Sequence, residues 1–158
     1  MENIELVRID DRMLHGQVVS TWLKDYGIEQ VLIINDKAAN DPIQKSVAGL
    51  AAPKDVRVHL FGVEQFIDIL KKTPIKRKTM LIFTTSTDVL KLVENGLEIK
   101  EVNVGGMRYN ESRKRLSKAV SVTTEEEEAF KKLIKKDMKV FIQMIPKSDD
   151  TMMKNLLK

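Results

Sequence analysis

Residues 4–27 read Ile4-Glu5-Leu6-Val7-Arg8-Ile9-Asp10-Asp11-Arg12-Met13-Leu14-His15-Gly16-Gln17-Val18-Val19-Ser20-Thr21-Trp22-Leu23-Lys24-Asp25-Tyr26-Gly27, and distinct patterns follow one another in them. Ile4 to Ile9 is an apolar run of strand length. Val18, Trp22 and Tyr26 recur every four residues with Val19 and Leu23 beside them, a helical stripe that Gly27 closes as a C-terminal cap. Between the two lies a polar turn, Ile9 to Val18, that crowds Asp10, Asp11, Arg12, His15 and Gly16 together. Strand, turn and helix in that order are the opening of a parallel α/β arrangement.

The alternation continues along the chain. Gln30 to Asn35, Val56 to Phe61, Thr79 to Thr84, Glu101 to Val104, Ala119 to Thr123 and Lys139 to Ile145 are rich in Val, Ile, Leu and Phe, which with the first run makes seven candidate strands. Asp41-Pro42 opens a helix with a cap residue and a proline at the first helical position. Val63, Phe66, Ile67 and Leu70 form a further stripe, and Val89, Leu90, Leu92 and Val93 another that ends at Gly96. The acidic run Thr123 to Glu128 reads as a helix start, not a metal cluster, because Thr124 and Glu127 have capping-box spacing and Ala129, Phe130, Leu133 and Ile134 supply a buried face behind it. A short last helix is expected around Met152, Met153, Leu156 and Leu157. Strands apolar on both faces, alternating with helices, predict an α/β fold of three layers: a mostly parallel twisted sheet of about seven strands with helices on both faces. No linker or low-complexity tract interrupts residues 1–158, so a single domain is expected.

Composition narrows the chemistry. The 158 residues include no cysteine and two histidines, which excludes disulfides, Cys-ligated metals, thiol nucleophiles and a three-His zinc site. The start Met1-Glu2-Asn3-Ile4-Glu5 lacks the pattern of a signal peptide, and no stretch has the about 20 apolar residues of a membrane span, so a soluble cytoplasmic protein is expected. A net charge of +4 permits a nucleic-acid partner without requiring one.

In open parallel sheets ligands bind beyond the carboxyl ends of the strands. The first such turn carries His15. Imidazole is mostly neutral at pH 7 and can act as a nucleophile. Arg12 and Arg8 can neutralise a phosphate with their guanidinium forks. Asp10 or Asp11 can hold one imidazole nitrogen and leave the other free to attack. The competing reading makes the two Asp residues helix caps and His15 an ordinary surface residue. The other histidine, His59, lies inside a strand pattern and reads as structural, and Trp22 reads as core.

Val7-Arg8-Ile9-Asp10-Asp11-Arg12-Met13-Leu14-His15-Gly16-Gln17-Val18-Val19 resembles the amino-terminal signature of the IIB components of the bacterial phosphoenolpyruvate-dependent sugar phosphotransferase system, mannose/fructose/sorbose class. Asn35-Asp36 with Ala39-Asn40-Asp41, Ala51-Ala52-Pro53, Asn103-Val104-Gly105-Gly106-Met107 and Lys118 to Val122 resemble the same family. Met13-Leu14 stands where the family often has Leu-Ile, a swap that conserves volume. The resemblance implies a phosphoryl carrier and protein-phosphohistidine–sugar phosphotransferase. The residue matching His15 receives a phosphoryl group on Nδ1 from the phosphohistidine of a IIA protein and passes it to a sugar delivered by the membrane IIC and IID components. It implies no metal and no organic cofactor, a cytoplasmic protein peripherally associated with the transporter, and room for a homodimer; no nucleic acid is expected.

The remaining candidates cluster at strand ends. Gly105 and Gly106 can let backbone N–H groups approach an anion or simply make a tight turn. Asn35, Asp36 and Thr84 can hydrogen-bond the histidine loop or phosphate, or cap the helices that follow; Ser86 or Thr87 is a further cap candidate. Arg108 to Arg115 is basic around Tyr109, which fits either a positive surface for an acidic partner or an aromatic stacking site in a non-catalytic nucleic-acid-binding domain. A dinucleotide-binding enzyme fits poorly, since the first turn lacks Gly-x-Gly-x-x-Gly.

Overall fold

The computed structural model describes residues 1–16 and 18–157; Gln17 of the histidine turn and Lys158 lie outside the described residues. In chain order the elements are β1 (Ile4–Asp10), a π-helical turn (Val18–Trp22) running into α1 (Leu23–Asp25), β2 (Gln30–Ile34), α2 (Asp36–Ala39), α3 (Pro42–Ala51), β3 (Arg57–Phe61), α4 (Val63–Lys72), β4 (Thr79–Phe83), α5 (Ser86–Glu94), β5 (Glu101–Gly106), β6 (Lys114–Arg115), β7 (Ser121–Val122), α6 (Thr124–Lys135), β8 (Lys139–Ile142), β9 (Thr151–Met152) and a 3₁₀ turn (Met153–Asn155). Seven strands form one sheet in the order β3-β2-β4-β1-β5-β8-β9. All neighbours run parallel except the last pair.

Side-chain alternation divides the interior into two cores. Val7 and Ile9 of β1, Leu32 and Ile34 of β2, Leu81 and Phe83 of β4, and Val102 and Val104 of β5 face Phe66, Leu92 and Phe130 of α4, α5 and α6. The intervening residues Leu6, Val31, Ile33, Met80 and Ile82 face Leu14, Trp22, Leu23 and Ala48, from the first turn and from α1 and α3. The chain therefore leaves β1 toward one face of the sheet and leaves the flanking β4 and β5 toward the other. That divergence opens a crevice at the carboxyl end of β1, the switch point where open α/β sheets bind ligands.

The expected fold class holds, with local differences. Ala119 to Thr123 does not enter the main sheet, because β8 occupies the free edge of β5; its residues Ser121–Val122 instead make a two-residue antiparallel pairing with Lys114–Arg115. The place of the missing strand is taken by β9, where the apolar pattern suggested a helix; only the 3₁₀ turn at Met153–Asn155 is helical there. The capping box of α6 is Thr123 with Glu126, one residue earlier than the spacing suggested. The cap of α5 is Thr85, which accepts from the Thr87 N–H, not Ser86 or Thr87. Asp41 and Pro42 start α3 as read.

Trp22 packs in the second core with no exposed surface, and its indole N–H donates to the Met144 carbonyl at 3.0 Å. Trp22→Ala is expected to cost about 3–5 kcal/mol in urea unfolding, whereas Tyr26→Ala, on the exposed end of the same stripe, should cost less than about 1 kcal/mol.

Candidate functional site

Period-2 alternation puts Arg8 and Asp10 of β1 on the same sheet face as Leu6, so two charges follow an apolar residue into the second core. Both are fully buried. Arg8 donates to the Asn103 side-chain oxygen and, through its other amino nitrogen, to Asp10 at 3.2 Å. It also reaches the carbonyls of Gln143 (3.2 Å) and Met144 (3.3 Å) and lies over the Trp22 ring, 4.9 Å from its centroid. Burial pushes the Arg8 guanidinium below its ordinary value, and Asp10 opposes that shift. Arg8 thus does not face an incoming phosphate, as the sequence suggested; its charge is spent on Asp10 beneath the site.

Arg12 grips the same carboxylate from above. Its Nε and one amino nitrogen each lie 3.0 Å from an Asp10 oxygen, and its backbone N–H donates to Asp10 at 3.0 Å. The hydrogen bond to Asp10 is the main cause that raises the Arg12 guanidinium above its ordinary value. Arg12 keeps 36% of its side chain exposed, against none for Arg8. The turn is closed by the Met13 N–H bonding to the Asp10 carbonyl (2.9 Å) and by the Asp11 N–H bonding to the Gly106 carbonyl of β5 (3.1 Å). Met13 sits at φ 60°, a left-handed conformation that costs a side-chain-bearing residue energy and turns its carbonyl toward His15.

His15 begins the helical segment, since its carbonyl accepts the Val19 N–H at 3.0 Å. Its Nδ1 lies 3.1 Å from the Met13 carbonyl. A carbonyl only accepts, so in this arrangement Nδ1 carries the proton. Nε2 lies 3.9 Å from Asp10, at ion-pair distance without a hydrogen bond. Asp10, and not Asp11, is therefore the carboxylate beside the imidazole.

Asp11 serves a different purpose. Its carboxylate accepts the Arg108 N–H (2.8 Å) and a bond from Arg113 (3.3 Å), which ties the His15 turn to the segment after β5. Arg113 in turn makes paired 2.8 Å bonds to Glu126 at the start of α6, and Glu126 also accepts from Thr85 before α5 at 2.8 Å. Arg113, which reads in sequence as one cation of an exposed cluster, is an internal strut. Burial opposes the charge on Glu126, but bonds from Arg113, the Thr123 N–H and Thr85 outweigh it and hold the carboxyl below its ordinary range.

Other sequence candidates fall into place differently. Gly105 is no anion cradle: a Cβ there would strike the Arg8 guanidinium, while at Gly106 it would meet only ordinary contacts. Gly16 is exposed in open space. Asn35 caps α2 and donates to Thr84 (2.8 Å), and Asp36 accepts the Val63 N–H at the start of α4 (2.8 Å). Among the described residues these three make no hydrogen bond to the His15 turn. His59 lies on the edge strand β3, stacked on Phe61, away from the site. No group of three or more His, Asp or Glu side chains placed to hold a metal ion occurs among the described residues.

An open α/β domain that presents an imidazole beside a doubly paired carboxylate at its switch point is a scaffold for group transfer. Comparison with known proteins makes that class specific. The family model for the sorbose-subfamily IIB component of the PTS system matches residues 4–158. The chain is 35% identical over 147 residues to the fructose-specific EIIB component of Bacillus subtilis, covering 92% of this chain and 90% of that one. It is 34% identical over 155 residues to the mannose-specific EIIAB component of Escherichia coli, covering 98% of this chain but 48% of that longer protein. The crystal structure of the IIBSor domain of the sorbose permease from Klebsiella pneumoniae superposes with a TM-score of 0.91 at 30% identity, covering 97% of this chain and 94% of that one. The chain belongs to the sorbose-subfamily IIB components of the phosphotransferase system, and is a sugar-phosphotransfer component of it. No helix among the described residues is long and apolar enough to cross a membrane.

Three variants test the architecture. Gly105→Ala should cost about 1–3 kcal/mol by overpacking against Arg8, with Gly106→Ala much milder, both read from urea midpoints. Glu126→Gln should be destabilising by about 1–3 kcal/mol at pH 7. Because the folded carboxyl is depressed, this contribution is complete above the ordinary Glu range and fades as pH falls through the folded value. The gap between wild type and Glu126→Gln should therefore narrow progressively as pH falls below the ordinary Glu range.

Proposed function

We propose that His15 is the phosphoryl carrier of this IIB component. It accepts the group from the phosphohistidine of a IIA protein and transfers it to a sugar delivered by membrane IIC and IID components. The observation that carries the reading is the pairing of a partly exposed Arg12 with buried Asp10 beside the imidazole. A cation at the rim meets the incoming phosphoryl oxygens, and a fixed anion below stabilises the imidazolium that phosphorylation creates.

Attack through Nδ1, the atom implied by resemblance, requires the Nδ1 contact with the Met13 carbonyl to open and the proton to reside on Nε2, beside Asp10. The Nδ1 lone pair then forms the N–P bond as the donor's P–N bond breaks and its electron pair returns to the donor imidazole. In the second step a sugar hydroxyl oxygen bonds to phosphorus, the His15 N–P bond breaks, and the hydroxyl proton is released. Positioning and charge suffice for this exchange, so no metal or organic cofactor enters. On the α3 side Ile43, Val47 and Leu50 are exposed, and Val47 shares a crevice with Arg12 and Met13, the kind of apolar surface that a transient protein partner covers. The protein works in the cytoplasm, at the inner face of its transporter.

Incubation with phosphoenolpyruvate and the upstream carriers should give one acid-labile, base-stable phosphate per chain, absent in His15→Ala; full label in that variant would refute the assignment. Arg12→Ala should stay folded, because Arg8 still pairs Asp10, while slowing transfer to sugar on the order of 10²-fold.

A further inference from the structure

The two edges of the main sheet are finished differently. At one, β9 is only two residues long, too short to template a further strand. At the other, β3 runs for five residues without a proline or a bulge, and none of the five is buried, whereas all of β4 is. The Arg57 N–H donates to the Glu29 carbonyl at 3.1 Å and the Phe61 carbonyl accepts the Asn35 N–H at 2.9 Å, so Arg57, His59 and Phe61 turn their peptide groups toward β2. Val58 and Leu60 alternate with them and turn theirs outward, where no hydrogen bond meets them among the described residues. On either side the neighbouring groups are taken. The Val56 N–H donates to the Pro53 carbonyl (3.0 Å), and Gly62 donates to the Gln65 side chain (3.3 Å) and accepts the Phe66 N–H (3.0 Å). The free donors are therefore those of Val58 and Leu60, symmetric about His59.

That symmetry fits a second copy of the chain. Two β3 strands set antiparallel about a two-fold axis at His59 place Val58 of each opposite Leu60 of the other, and every outward N–H and C=O of the four residues is then paired. Setting Val58 opposite Val58, or Leu60 opposite Leu60, turns a remaining Leu60 or Val58 group toward Val56 or Gly62, whose donors are already used. The side chains agree with the symmetric register. Directly opposed residues share a face, so His59 meets His59 and Arg57 meets Phe61. His59 stacks on Phe61 and Phe61 on Phe66, each with centroids 6.0 Å apart, so the axis joins two aromatic rows. Arg57 is exposed and has no ion pair among the described residues; opposite Phe61 it gains a ring face and the acidic start of α4, where Asp36 and Glu64 lie. Lys76 and Arg77, which with Leu32, Phe66 and Ile75 line a hollow of about 280 Å³ beside β3, stand at the other end of the strand, so the incoming Arg57 does not face them.

We propose that β3 is a homodimer edge: two copies pair antiparallel through Val58 and Leu60, about His59, and join their seven-stranded sheets into one. β1 lies three positions in from β3, so both His15 turns stay open. The pairing is short, which makes the dimer reversible, with a Kd on the order of 0.1 mM.

The test uses the full chain, which has no cysteine, so that one introduced thiol reports on one place. Opposed residues of a non-hydrogen-bonded antiparallel pair have Cα atoms about 4.5 Å apart, within disulfide reach. His59→Cys should give a disulfide-linked dimer from most of the chains on mild oxidation at about 0.1 mM. Arg57→Cys, whose two copies would stand about 13 Å apart along the strands, should not. Sedimentation equilibrium of the wild type should show monomer–dimer exchange. His59→Lys, which sets two ammonium groups opposite each other, should weaken it about fivefold or more, with the urea midpoint of dilute chain unchanged, whereas Lys71→Ala should have no effect on association. Equal cross-linking of Arg57→Cys, association indifferent to His59→Lys, or a wild type that stays monomeric at about 1 mM, tenfold above that Kd, overturns the proposal; the last result would leave the edge for an extended segment of another protein.

Discussion

Asp10 is a carboxylate with no exposed surface, and its neighbours take the place of the water it loses. Burying an ion costs several kcal/mol unless partners and hydrogen bonds replace its hydration. Arg8 and Arg12 supply the charge, and the Arg12 N–H supplies a further bond. Arg8, itself buried, then needs partners of its own. Asn103 and the carbonyls of Gln143 and Met144 provide them, Trp22 covers its face, and the missing side chain of Gly105 gives it space. One buried anion thereby sets the identity of residues on β1, β5, the segment after β8 and the first helical turn.

The same arrangement explains how much could be read from the sequence. Periodicity located most of the strands and helical stripes, and the His15 turn stood out because charged residues interrupt apolar ones just where a strand gives way to a helix. Strand parity puts Arg8 and Asp10 on the face of Leu6, so the burial of Arg8 follows from the alternation Leu6, Arg8, Asp10 once that face is known to be covered. Its partners were not, because Asn103 lies on β5 and the Met144 carbonyl in the segment after β8, and no local pattern states the order of β5 and β8 in the sheet. Ala119 to Thr123 was misplaced for the same reason: its residues have strand character, but which strand occupies the edge of β5 is a matter of competition between distant segments. Arg113 and Glu126 lie 13 residues apart, and their paired bonds look in sequence like a solvated cation and a helix cap. Glu126 does cap α6, one residue before the Glu127 that the spacing suggests; the second use of the same carboxylate, against Arg113, was invisible without the fold.

The two-arginine arrangement also fits the transfer chemistry in a way a single ion pair would not. In the proposed reading, with His15 as carrier, Arg12 would turn toward the phosphoryl oxygens, and in a simple pair that movement would strand a buried carboxylate, at a cost of about 3–5 kcal/mol. Arg8 prevents this. Fixed by protein carbonyls and Asn103, it stays on Asp10 whichever way Arg12 points. In that reading the partly exposed arginine would exchange one anion for another, while the carboxylate it leaves would stay paired with Arg8. A fully buried cation below and a partly exposed one above would then divide the work between holding Asp10 and meeting the phosphoryl group.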